Sequence, residues 1–207
     1  TVEANETFTV DLTASSANAT LTDNQGVGTI TNDDKYLVTI DDQSVAEGGT
    51  AVFTVTLSQA VIAGDSVTVD YKTTDGTATG GSDYTAHGST QLTFSPGQST
   101  KTVSVVTLPD ATVEANETFT VDLTASSANA TLSDNQGVGT ITNDDQYVLS
   151  VNDVSTTEGN AGTKLLTFTI SIPQAGSVPV SVDYATSSGT ATQGTDFVAA
   201  TGTATII

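Results

Sequence analysis

Residues 112–145 read TVEANETFTVDLTASSANATLSDNQGVGTITNDD, and residues 1–34 read the same except that Thr22 stands where the later copy has Ser133. Inside the stretch Phe119, Val121 and Leu123 alternate with Thr120 and Asp122, a period of two that marks a strand with one face buried and one wet. The recurrence is offset by 111 positions, much longer than a solenoid repeat and close to the size of one globular domain. The stretch therefore sets both the fold class, all-β, and the organisation, a tandem array.

Outward from it, the rest of the chain aligns as well. Residues 35–97 match 146–207 through the skeleton E-G, D-Y, G-T-A-T, G-x-D-[YF]. The organisation expected is the end of one repeat at 1–34, a whole repeat at 35–145 and the start of a third at 146–207. Repeats cut at this phase read as a window on a longer polypeptide. The alternative is that copies complete each other head to tail, the C-terminal piece of one with the N-terminal piece of the next.

The same alternation recurs at Phe53, Val55 and Leu57 and at Val67, Val69 and Tyr71, and further strands are expected near 36–41, 90–94, 101–107 and 137–142. Gly-, Asp- and Ser-rich turns such as Thr74-Asp75-Gly76 separate them, and no amphipathic helix is visible. Seven strands in about 110 residues with frequent turns is the pattern of an immunoglobulin-like antiparallel β-sandwich. The abundant Thr suits the pleated outer faces of such strands.

Charge narrows the partners. The chain has 24 acidic and 4 basic residues and a net charge of −20, so it repels nucleic acid and anionic membrane surfaces. No apolar run reaches membrane-spanning length, so this segment is not expected to insert directly in a membrane. Self-repulsion on this scale calls for neutralising cations, multivalent ones being the most effective. With no Cys there are neither disulfides nor thiolate metal sites.

Within the whole repeat the acids fall in four clumps: Glu47, Asp75, the run Asp110, Glu114 and Glu117, and the terminal Asn143-Asp144-Asp145. Each clump lies at a strand end or in a turn. One acid alone reads as a solvated turn residue, but together, at one end of a sandwich, they supply oxygen for more than one ion. Ca²⁺ accepts six to eight oxygens at about 2.3–2.6 Å in loose geometry, as ligands from several loops require, whereas Mg²⁺ wants a tighter octahedron. Transition metals favour His or Cys, and His87 is the only histidine.

The order E-G, F-x-V-x-L-S, V-x-V-x-Y-x-T-x-D-G-T-A, G-x-D-Y, L-x-F-x-P-G, E-x-x-E-x-F-x-V-x-L and N-D-D over 35–145 resembles the Calx-β family. The resemblance implies a seven-stranded immunoglobulin-like sandwich binding several Ca²⁺ ions at one end, near the next domain. It implies as ligands Glu47, Asp75, Asp110, Glu114, Glu117, Asp144 and Asp145, with Asn143 where the family often has another Asp. Glu3, Glu6, Asp33 and Asp34 would serve in the first repeat and Glu158 in the third, where Ser188 replaces Asp75. Pro109 and Asn143 depart from the most acidic versions.

Asn143-Asp144-Asp145 runs into Tyr147-Val148-Leu149 without a spacer, and Asn32-Asp33-Asp34 does the same before Tyr36. A Ca²⁺ cluster at such a joint would stiffen the array. The function expected is a non-enzymatic calcium-binding structural repeat of a bacterial extracellular or cell-surface stalk, filament or adhesin. Its partners are neighbouring repeats of the same or an adjacent chain, and a cell-surface or matrix ligand. The alternatives are a ligand-binding adhesin module and a Ca²⁺-sensing regulatory domain of a membrane transporter.

Other chemistry is thin. His87 has no nucleophile motif around it, and neither a zinc-binding H-E-x-x-H nor a phosphate loop occurs. Gly80-Gly81-Ser82-Asp83 brushes a glycine-rich Ca²⁺ repeat without repeating. Asn5, Asn18, Asn116 and Asn129 open N-x-T triplets, which a Thr-rich chain produces by chance.

Overall fold

The computed structural model describes residues 1–13, 15–174 and 176–206. The first repeat piece contributes β1 (Glu6–Asp11) and β2 (Gln25–Ile30). The middle of the chain holds β3 (Tyr36–Ile40), β4 (Gln43–Ala46), β5 (Thr50–Leu57), β6 (Val67–Asp75), β7 (Thr90–Phe94), β8 (Thr100–Val106), β9 (Glu117–Ser126), β10 (Ala130–Leu132) and β11 (Gln136–Thr142). Beyond them lie β12 (Ser150–Val151), β13 (Ile170–Ser171), β14 (Val180–Ala185) and β15 (Thr201–Ile206).

The middle strands form two sheets, β10-β3-β5-β8 and β4-β11-β9-β6-β7, antiparallel except for β10 beside β3 and β4 beside β11. Their alternating apolar residues meet in one core. Phe53, Val55, Val103 and Val105 enter from the first sheet, and Val67, Val69, Phe94, Phe119, Val121 and Leu123 from the second. Phe119 is central. Its ring stacks on Tyr84 at 4.4 Å and meets Phe53 edge-on at 6.0 Å, and each such buried ring contributes roughly 1.5–3 kcal/mol through area alone. Opposite Phe119 in the ladder stands Gly139, where a Cβ would lie 2.4 Å from the ring, so the pairing of aromatic with glycine is a steric requirement.

The strands of the whole repeat number nine rather than seven, for two physical reasons. The first strand changes sheets at Asp41-Asp42: Asp41 accepts the amide of Thr54 in the first sheet, and Asp42 accepts that of Val138 in the second at 2.7 Å. The inward positions shift there from 36, 38 and 40 to 43 and 45, and the stretch divides into β3 and β4. The other addition, β10, is a three-residue pairing in the turn region before β11.

The outlying strands pair only among themselves, β1 with β2, β12 with β13 and β14 with β15. They follow the repeat's own register. Glu6 stands opposite Ile30 and Asp11 opposite Gln25, as Glu117 stands opposite Ile141 and Asp122 opposite Gln136.

Candidate metal centre

Three connections bring acids together at one end of the middle sandwich. The turn after β4 carries Glu47, the β6–β7 connection carries Asp83, and the β8–β9 connection carries Asp110 and Glu114 before Glu117 opens β9. Asp145 follows β11. The side chains gather as two triads, Glu47 with Asp110 and Asp145, and Asp83 with Glu114 and Glu117, each with carboxylate oxygens within 4.8 Å of one another. Between them lies a space of about 10 Å³, room for about one ion or water, lined by five of these carboxylates together with Leu108, Ala115 and Ile141.

The backbone holds the cluster in place. Thr107, buried at 1% exposure, bonds the carbonyls of Ala46 and Gly49 and so ties the Glu47 turn to the end of β8. Gly48, at φ +67°, turns the chain there in a conformation that an L side chain resists. Asn143 accepts the amide of Glu114 at 3.1 Å and donates to the carbonyl of Asp145 at 2.9 Å, joining the two triads through one amide side chain. The first repeat keeps the same joint: Asn32 accepts from Glu3 and donates to Asp34.

Electrostatically the cluster is overfull. Burial, then the charges of Asp83 and Glu114, push Glu117 up to about 7. Burial and the charges of Asp110 and Asp145 raise Glu47, and burial with Asp110 and Asp83 raises Glu114. Among the described residues no Lys or His forms an ion pair with these carboxylates. The Oδ2 of Asp145 is buried without a hydrogen-bond partner, an arrangement that costs free energy unless something positive meets it. An all-oxygen donor set with an orphaned carboxylate oxygen fits a hard divalent cation, and the looseness of two adjoining triads fits Ca²⁺ better than Mg²⁺.

The expected ligands separate into those the fold gathers and those it does not. Glu47, Asp110, Glu114, Glu117 and Asp145 converge. Asn143 organises the backbone between them. Asp144 is exposed and lies outside both triads, adding its negative charge to the field at Glu47. Asp75 lies outside them too: its Oδ1 accepts the Tyr84 hydroxyl at 2.6 Å and the Gly80 amide at 2.8 Å, and these bonds hold its carboxyl below the usual range. Glu3, Glu6, Asp33, Asp34 and Glu158 are exposed, and Asp34 pairs with the terminal amine of Thr1 at 2.6 Å.

Asp83 is the residue that the reading of acidic clumps passes over. It stands alone after two glycines, yet Asp83-Tyr84 recurs as Asp196-Phe197 in the third repeat, and that recurrence is a signal in the sequence itself.

Next to the cluster, Val2 and its repeat counterpart Val113 each meet the segment that follows, through different contacts. Val2, 5% exposed, belongs to the middle core, and its carbonyl accepts Gln59 Nε2 at 2.6 Å. One repeat later Val113 bridges Gly176, and its carbonyl accepts the Ser177 amide at 3.0 Å. A Cβ on Gly176 would sit 2.6 Å from that carbonyl, so the close approach needs glycine. Val113 immediately precedes Glu114, which links the docking residue to a carboxylate of the centre.

A two-sheet sandwich repeat with an oxygen-lined acidic end defines a cation-binding β module. Residues 31–146 and 142–205 match the model of the Calx-beta domain, and the chain belongs to that family. The two matches share 142–146, so Asn143-Asp144-Asp145 lies in both, as expected where no linker separates repeats. Among solved structures the chain is similar to that titled as the apo form of the Calx CBD1 domain, at 23% identity over 54% of this chain and 100% of that one, with a TM-score of 0.50. It is also similar to CBD12 from CALX1.2, at 25% identity over 82% of this chain and 70% of that one, with a TM-score of 0.49. The first likeness shows the fold. No curated protein sequence matches significantly. Among the described residues no helix is long and apolar enough to cross a membrane.

Proposed function

We propose that this chain is a calcium-binding structural repeat of an extracellular or cell-surface stalk, filament or adhesin of a bacterium, stiffened by Ca²⁺ where repeats meet. The observation that carries the reading is the unpartnered, buried Oδ2 of Asp145 within an acidic triad that, among the described residues, makes no ion pair with a base. Glu47, Asp83, Asp110, Glu114, Glu117 and Asp145 would hold the metal, which would supply the positive charge that these carboxylates lack. The partners are neighbouring repeats, with a surface or matrix ligand at the adhesive end of such a protein. Near-identity of residues 1–34 and 112–145 favours a spacer, in which length is the useful property, over a sensor built from one or two tuned domains.

Calorimetric titration of the chain with Ca²⁺, paired with small-angle scattering, tests this directly. Saturable binding that Asp145→Ala weakens, with a longer maximum dimension in Ca²⁺ than in chelator, is the expected result. Absent binding sinks the calcium reading, and binding without a change in shape sinks the stiffening.

A further inference from the structure

The first strand of the middle sandwich, β3 continuing as β4, and the last, β10 continuing as β11, run side by side in the same direction. Ala130 stands opposite Tyr36 and Leu132 opposite Val38 in one sheet, and Gly139 opposite Gln43 and Thr142 opposite Ala46 in the other. Where the first strand changes sheets at Asp41-Asp42, the last changes with it. Bonds tie the two along the way. The Tyr36 amide donates to the Asn129 carbonyl at 3.0 Å, the Ser133 amide to the Val38 carbonyl at 2.9 Å, the Val138 amide to Asp42 Oδ1 at 2.7 Å and the Glu47 amide to the Thr142 carbonyl at 3.2 Å.

Direction decides how such a pair meets tension. The chain enters this repeat at Tyr36 and leaves it after Thr142, with sequence continuing on both sides. Because the two strands are parallel, those points lie at opposite ends of the ladder. Tension along an array therefore slides the first strand against the last along their common axis, and the bonds that cross that axis are strained together. An antiparallel pair would open from one end, bond by bond. One backbone bond contributes only about 0.5–1.5 kcal/mol net, so resistance depends on this sharing. The strands that take the tension are also interior ones, β3 between β10 and β5 and β11 between β4 and β9. Neither leaves its sheet without breaking a ladder on each side.

The metal centre stands where that tension leaves the repeat. Glu47 directly follows β4 and Asp145 lies just past β11, and with Asp110 they form one triad, in which the buried Oδ2 of Asp145 has no partner. We propose that the parallel pairing of first and last strands is a mechanical clamp that keeps the repeat folded under tension, and that a divalent cation on Glu47, Asp110 and Asp145 locks its exit end. The lock rests on the calcium reading above; the clamp rests on strand direction alone. Bound there, the ion joins the end of β4 to the segment leaving β11, so the strands slide only once it is released. Forced unfolding follows the unfolding rate rather than equilibrium stability, and an ion that must leave before sliding begins acts on that rate.

The chain has no Cys, so introduced cysteine pairs fix where optical-tweezers handles pull on the full chain. Lys35→Cys with Gln146→Cys, both at exposed positions, strains the clamp along its length. Lys35→Cys with Ala128→Cys pulls on the starts of β3 and β10, which lie at the same end, and peels them apart. In chelator, at one pulling speed, the first pair should need the higher unfolding force, and Asp42→Ala, which removes the acceptor of the Val138 amide, should lower it. Ca²⁺ should shift the force for the first pair upward and leave that for the second in place, and Glu47→Gln should lose the shift. Equal forces in the two pulling directions overturn the clamp. A higher force between 35 and 146 that ignores Ca²⁺ supports the clamp and overturns the lock. Calorimetry of the same chain then separates the causes: Ca²⁺ binding means that the lock alone fails, and no binding means that the calcium reading fails with it.

Discussion

Tyr84 donates its hydroxyl to Asp75 Oδ1 at 2.6 Å, while the residue before it, Asp83, joins Glu114 and Glu117. One short connection thus divides two acids between different tasks. Asp75 pins the loop through Tyr84 and Gly80, and Tyr84 in turn stacks on Phe119 at the centre of the core.

That division separates two variants that look alike on paper. Asp83→Asn should abolish most of the calcium-induced rise in melting temperature while leaving the apo protein as stable or slightly more stable, because it removes one of three crowded like charges. Asp75→Asn should lower the melting temperature with and without calcium and leave the calcium-induced increment intact. Melting curves of both variants, each in chelator and in millimolar Ca²⁺, decide it; equal increments for the two would refute the assignment.

Calcium itself should stabilise the middle sandwich. At free Ca²⁺ ten times the dissociation constant, one site contributes about 1.4 kcal/mol, and two adjoining sites about twice that if they fill independently. Differential scanning calorimetry in chelator and in graded Ca²⁺ measures the increment. A transition that does not move with Ca²⁺ would exclude these carboxylates as a metal centre.

Proton dependence follows from Glu117. Its folded-state pKa, about 7, lies above the ordinary value of 4.5, so the folded chain binds a proton there that the unfolded chain releases. The associated stability is fully present below about pH 4.5 and is lost as pH rises through about 7. Glu47 and Glu114 are raised as well and act in the same direction. In chelator the melting temperature should therefore fall between about pH 5 and about pH 8. Glu117→Gln should flatten the profile, and saturating Ca²⁺ should remove the fall.

Much of this was legible in the sequence, and the exceptions have physical causes. Period-two alternation around Phe53, Val67 and Phe119 marks the core strands because one face of each is buried. The sheet change at Asp41-Asp42 shows only as a one-residue slip in the alternation, from Tyr36, Val38 and Ile40 to Gln43 and Val45, which a polar pair of aspartates masks as an ordinary turn. Gly137 and Gly139 face the core with no side chain to announce it; their signal is the steric demand of the Phe119 ring and the backbone at Asp41. Within the site, counting acids finds clumps but cannot tell a carboxylate that meets a cation from one already satisfied by a phenol. Asp75 is satisfied by the Tyr84 hydroxyl and the Gly80 amide, whereas Asp83 accepts the Thr79 amide and still meets Glu114 and Glu117.

The duplicated sequence supplies a matched pair for measuring what tertiary cover is worth. Phe8 and Phe119 occupy the same position in near-identical stretches, yet one is 55% exposed and the other fully buried. Phe119→Ala removes the ring that stacks on Tyr84 and meets Phe53, and should destabilise the middle sandwich by about 3–5 kcal/mol. Phe8→Ala should change the same transition by less than about 0.5 kcal/mol, because Phe8 lies outside the middle core. The local sequence and the glycine opposite are common to both, so the difference reports what β6 and the facing sheet add around Phe119. Denaturant titrations of the two single variants and the double variant give the result, with additive effects expected because the two rings share no partner. A Phe8→Ala loss as large as that of Phe119→Ala would mean that β1 is covered as β9 is, and it would remove the basis for the contrast.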